Sequence, residues 1–226
     1  MWRLLSRTGA LALLASVTLP MVSASAQASE QSKPAAQIFA DGVAAMRQAK
    51  DFHVAGHVTQ GKQVIALNLT MSPNGGGGSV GVLGATIQMV VTSKYVYMKA
   101  DSKSWTALTH SASVAQLVAN RWLKAPVTNS QFASFAQLSF SNKFLNQVAS
   151  QGSPFSKLGL SSWDGRSAIV LKDAQGSNVY IAAYGAHYVL GVSGATSGAK
   201  GSLSFTDFGT APMPAVPTTA ITIPGL

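Results

Sequence analysis

Seven acidic residues, four histidines and no cysteine are the whole stock from which this 226-residue chain could assemble acid–base, metal or thiol chemistry. The histidines are His53, His57, His110 and His187. His53 and His57 share one face of an extended segment but stand about two pleats, or roughly 13 Å, apart, too far to hold one metal ion without moving. They read as polar-face histidines. Glu30 falls in a polar lead, and Asp41, Asp51, Asp101, Asp164, Asp173 and Asp207 fall mostly in turns or at helix ends, where aspartate serves the backbone. No pair of them is set out for general acid–base or glycosidic chemistry. Gly76-x-Gly78-x-x-Gly81 has the spacing of a dinucleotide fingerprint, yet a phosphate turn needs a helix N-terminus directly behind it. Val82, Ile87, Met89 and Val91 continue with strand period instead. Ser197-x-x-Lys200 has the spacing of a serine nucleophile motif inside a glycine-rich loop, without the helix that aligns such a pair. The expectation is no catalytic residue, no metal site and no cofactor.

Apolar side chains are the abundant resource, at 47% of residues against 10% charged. Phe132, Phe135, Phe140 and Phe144 recur through a segment of helical period that also carries Leu138, Leu145 and Val148. Each Phe or Leu buried there is worth roughly 1.5–3 kcal/mol, so this segment cannot face water. Two readings stay open. The cluster is ordinary core, as aromatics are in most folds, or Phe132, Phe135, Phe144, Leu145 and Val148 join Leu67, Met89, Tyr97 and Leu117 in lining a ligand cavity. The supply of methionine and aromatic side chains suits a pocket for an adaptable chain.

The elements that must position this cluster are read from its flanks. From His53 to Lys99 apolar and polar residues alternate: Val54 and Val58; Ile65, Leu67, Leu69 and Met71; Ile87, Met89 and Val91. Period two of this kind predicts half-buried antiparallel strands. Gln60-Gly61 and the run Asn74 to Gly78 supply the expected hairpin connections. Before the sheet, Gln27 to Lys33 reads as an unstructured lead, and Pro34 opens an amphipathic helix carrying Phe39, Val43 and Met46. After it, Ala100 to Ser104 reads as a turn, Ser111 or Ser113 caps a short helix carrying Val114, Leu117 and Val118, and Arg121 to Pro126 is extended. Ser130 and Ser141 are the expected N-caps of the phenylalanine-rich helices. Strands return at Arg166–Lys172, Asn178–Tyr184, His187–Val192 and Ser202–Thr206, with a last one at Thr218–Ile223 in a proline-rich tail. This is an α+β order: a large curved antiparallel sheet, an incomplete β-barrel, with an N-terminal helix and a central helical plug.

Residues 1–26 read as a signal peptide, with basic Arg3 and Arg7, an apolar run from Ala10 to Leu19 too short to span a bilayer, and Ala24-Ser25-Ala26 as the cleavage site. Residues 27–226 then form one domain, secreted or periplasmic and soluble once cleaved. Without cysteine it has neither disulfides nor a thiol for acylation, so its stability rests on its core. Removing Arg3 and Arg7 takes the formal charge from +9 to +7. The lysines are mostly single and not interleaved with aromatics, which argues against nucleic acid. A diffuse positive surface suits transient contact with an anionic membrane surface or with envelope proteins, or simple solubility.

The layout resembles that of cell-envelope lipid-binding proteins of the LolA and LprG/LppX type. The residues that carry the resemblance are Gly56-x-Val58-x-x-Gly61 leading into Val64 to Met71, Lys94 to Met98, Arg121 to Pro126, and Ser202 to Gly209 ahead of the tail. The resemblance covers most of the chain after residue 26. It implies an incomplete barrel plugged by helices, with an apolar cavity for acyl chains and no catalysis. It assigns no individual ligand residue. The expected function is a secreted, non-enzymatic binder or carrier of lipids, lipoproteins or other acyl-bearing molecules. The alternative is an envelope sensor or protein-interaction domain using the same concave sheet.

Overall fold

The computed structural model describes residues 30–129, 132–150, 154–195 and 199–222. The expected signal peptide, the Ser130 cap and Ser197 lie outside these residues. Twelve strands form one open sheet: β1 Phe52–Gln60, β2 Gln63–Ser72, β3 Gly75–Val82, β4 Ala85–Val91, β5 Tyr95–Lys99, β6 Leu123–Pro126, β7 Ser156–Trp163, β8 Arg166–Lys172, β9 Asn178–Ala182, β10 Val189–Ala195, β11 Ala199–Thr206 and β12 Ile221–Thr222. Their spatial order is β12-β6-β5-β4-β3-β2-β1-β11-β10-β9-β8-β7. All neighbours are antiparallel except the β12–β6 pair. The β1–β11 ladder, from His53↔Thr206 to Gln60↔Ala199, joins the two strand sets. The helices that accompany the sheet among the described residues include α1 Ala35–Ala49, α2 Ser102–Thr109, α3 Ala112–Val118, α4 Ala133–Gln137 and α5 Ser141–Ala149. The expected α+β class, the incomplete barrel and the helices between the two strand sets are all present.

Strand register explains the core. Phe205, Val54, Leu69, Gly78, Met89, Met98 and Leu123 occupy directly opposed positions across successive strands and so share one face. Their side chains, with Phe52, Met71, Val91 and Val96, are buried with Ile38, Val43 and Met46 of α1 and Leu145 of α5. The intervening residues His53, Asn68, Gln88 and Lys124 fall on the other, convex face.

Several local expectations are corrected. The glycine run is a strand, and the turn it was expected to make is confined to Pro73-Asn74. A Cβ on Gly76, Gly77 or Gly78 would stand 2.0–2.2 Å from the carbonyl oxygens of Thr70, Met89 or Asn68, so glycine here permits close backbone approach within the sheet. The expected turn at 100–104 is largely helix: Asp101 caps α2, its carboxylate accepting from the Ser104 N–H at 2.7 Å. Ser111 caps α3 as expected. Ser141 is not a cap; its hydroxyl donates to the Lys50 carbonyl at 2.9 Å and ties α5 to the end of α1. Residues 30–32 are helical, not an unstructured lead, and Glu30 is buried beside Lys33. Strand β7 had no sequence signal, because as an edge strand it is exposed on nearly every residue.

Candidate ligand-binding site

Between the concave sheet and the helices lies a half-open cavity of about 340 Å³. Its apolar wall is Phe39 of α1, Val148 of α5, Phe155, and Val58, Val179, Val192 and Leu203 of the sheet. The Phe39 and Phe155 rings meet at 4.4 Å between centroids, closing the side towards β7. The floor is spared side chains by two glycines: Gly194 and Gly201 are directly opposed in the β10–β11 ladder, and both line the cavity. Gly201 has φ +150, and a Cβ there would strike the His57 carbonyl oxygen at 2.1 Å. Asp173, Ser177, Ser193, Lys200 and Ser202 also border the cavity; of these, Ser193, Lys200 and Ser202 alternate with Val192, Gly201 and Leu203 in the ladders and so fall on the convex side of their strands. Asp173 accepts from the Ser177 N–H at 2.7 Å, a turn contact that ties up one carboxylate oxygen, while the Lys200 side chain is exposed. The arrangement offers an apolar slot with a polar margin. Among the described residues no group of three His, Asp or Glu side chains is placed to hold a metal ion.

Among the expected residues whose side chains are described, Val148 borders this cavity. Met89 and Leu145 are each 1% exposed and belong to the solid core. Phe144 is half-buried, its ring 6.1 Å from Phe52 and 5.9 Å from Phe205, so it cements α5 to the sheet. Leu67 and Phe132 pack on the periphery of that core. The side chain of Phe135 lies outside the described residues. Tyr97 is on the convex face, opposite Val90 and Lys124, with the Lys124 ammonium 5.9 Å from its ring centroid. Its neighbours Val96 and Met98 take the concave positions, and two apolar sets on one short strand gave no sequence clue to which faced inwards. Leu117 is 71% exposed, because α3 buries its Ala115 side instead. Sequence reading missed Phe39, Phe155, Val179, Val192 and Leu203 as a site. Val179, Val192 and Leu203 are opposed across the β9–β10 and β10–β11 ladders, but their meeting with Val58 depends on the β1–β11 junction, a pairing between segments distant in sequence.

A shallower cleft of about 400 Å³ lies on the convex face between Asn68, Gln88, Trp122 and the tail at Pro214 and Ala215. Gly78, Ser79, Met89 and Val90 complete its lining, which mixes polar and apolar groups.

No protein-family model matches the chain, and no curated protein matches it in sequence. Among solved structures, LprF from Mycobacterium bovis aligns over 80% of this chain and 96% of its own, at 14% identity and a TM-score of 0.54. The two share one fold. The lipoprotein LppX from Mycobacterium tuberculosis aligns over 79% of this chain and 96% of its own, at 12% identity and a TM-score of 0.48. The half-barrel architecture expected from the sequence is the one observed, and the likeness to LprF, at this identity, speaks for fold.

Proposed function

We propose that this protein is a non-enzymatic binder or carrier that takes the acyl chain of a lipid, or of another acyl-bearing molecule, into the cavity between α1, α5 and strands β1 and β9–β11. One observation carries the reading: an apolar, half-open space of about 340 Å³ persists beneath helices that fill the rest of the concave face. Ligand pockets span about 300–1,000 Å³, so this one suits a single acyl chain better than the several chains of a large glycolipid. Each buried CH₂ contributes ~0.8 kcal/mol, and a chain of about a dozen carbons binds by burial alone. No polar catalyst is needed. The ligand's polar end would rest at the Lys200 and Asp173 side. Secretion through cleavage after Ala26 is part of the same proposal, and among the described residues no helix is long and apolar enough to cross a membrane.

Titration with a fluorescent fatty acid tests this. The wild-type protein should bind the probe saturably, and Val148→Trp, which fills the cavity from α5, should abolish binding while leaving the unfolding transition intact. Saturable binding that survives Val148→Trp would place the ligand elsewhere.

The alternative, docking of an envelope protein, has one observation in its favour. Among the described residues strand β7 is an unpaired edge, with Leu158 and Leu160 57% and 54% exposed, a feature that suits a partner strand. A partner bound there would be lost on Leu160→Lys and indifferent to Val148→Trp.

A further inference from the structure

We infer that the end of the half-barrel at which the cavity opens docks onto an anionic lipid bilayer, with Leu83 entering the interface; this rests on the acyl-binding reading above. The starting observation is a misfit. Leu83-Gly84 is the two-residue connection between β3 and β4, and both residues have positive φ, +54 and +74. Such a turn favours Asn-Gly or Asp-Gly, because a side chain branching beyond Cβ gains nothing there and the left-handed backbone is costly for most residues. Leu83 is also 60% exposed. A leucine that is strained and in water serves neither folding nor solubility, and backbone strain of this kind points to use.

Register places the tip. The β1–β2 turn at Gly61-Lys62, the β3–β4 tip, the β8–β9 turn at 173–177 and the Gly194↔Gly201 pair all lie at one end of the sheet. That is the end at which Lys200, Asp173 and Ser177 border the cavity. Beside Leu83 stands α2, joined to β4 by the Thr86 N–H donating to the Ser104 hydroxyl at 3.1 Å. On α2 packs α3, which exposes Val114 and Leu117 by 46% and 71%. The same end carries exposed Lys62, Lys103 and Lys200, none in direct ion-pair contact among the described residues, although Lys103 lies near enough to Asp101 to favour its ionised form. Its acids are engaged: Asp101 and Asp173 by the Ser104 and Ser177 N–H groups, Glu30 and Asp41 by Lys33. Asp51, Asp164 and Asp207 belong to the opposite end. Exposed aliphatic side chains and exposed lysines at one end match a bilayer interface of negative charge. A membrane there would meet the cavity directly.

The test is flotation of the purified protein with phosphatidylglycerol vesicles and with phosphatidylcholine vesicles, at low and at physiological salt. Binding to the anionic vesicles alone, weakened by salt, is expected. Leu83→Asn fits the positive φ better, so its thermal stability should equal or exceed wild type. It should keep its affinity for a soluble fatty-acid probe and lose about tenfold in vesicle partition, as removal of one buried leucine implies. Lys62→Gln with Lys103→Gln should flatten the salt dependence. Equal partition of wild type and Leu83→Asn, or none on anionic vesicles, overturns the inference. So does retention on envelope membranes that protease pretreatment abolishes, which would make this end a protein-docking surface. Normal vesicle partition with no probe binding would instead overturn the cavity reading and leave the docking surface standing.

Discussion

Phe144 and Val148 sit one helical turn apart on α5, and the structure gives them different work. Phe144 packs on Phe52 and Phe205, so Phe144→Ala should lower stability by about 2–3 kcal/mol, somewhat under the ~3–5 kcal/mol of a fully buried phenylalanine. Chemical denaturation measures it directly, and fatty-acid affinity of the folded fraction should be unchanged. Val148→Trp should do the reverse. The sequence showed that both were apolar and on one face, which is as far as helical period reaches. Which of them meets packed side chains and which meets a void depends on strands distant in sequence. Tyr97 and Leu117 show the same limit: residue type made them candidates, and face decided otherwise.

At the scale of elements, β3 is the least typical strand. Gly78→Ala should cost about 3 kcal/mol or more, since its Cβ would lie 2.1 Å from the Asn68 carbonyl oxygen at φ +143. Gly84→Ala, with open space around it at φ +74, should cost only about 1 kcal/mol from backbone strain. Thermal unfolding of the two variants separates close approach from conformational freedom. The N-terminal turn has a different anchor, in which the Lys33 ammonium bonds Asp41 at 2.7 Å and also Glu30. The Lys33 bond holds the Asp41 carboxyl below its ordinary 3.8, and the bonds to Asp41 and then Glu30 hold Lys33 above 10.5. By linkage, the Asp41 contribution is present above pH 3.8 and lost as pH falls through the lowered value. The Lys33 contribution is present below pH 10.5 and lost as pH rises through the raised one. The melting difference between wild type and Asp41→Asn should therefore be steady across neutral pH and shrink in acid. The helix from Pro34, the meander and the return of strands after the plug were legible because their periods are regular. The glycine strand and β7 were not, since one lacks side chains and the other lacks a buried face.

For the whole molecule, the sheet closes far enough to make a trough, the helices fill most of it, and a space remains where Gly194 and Gly201 withhold side chains. An α+β half-barrel with a helical plug could be read from the order of elements. The position of the opening could not, because it is set by the β1–β11 junction and by where α1 and α5 end. The measurement that bears most directly on this trough is mass spectrometry of organic extracts from the protein purified from its native host, beside a matched control protein. An acyl-bearing molecule near one per chain, absent from Val148→Trp, is the expected result. Extracts indistinguishable from the control, with no uptake of added fatty-acyl probes, would contradict a lipid-binding role.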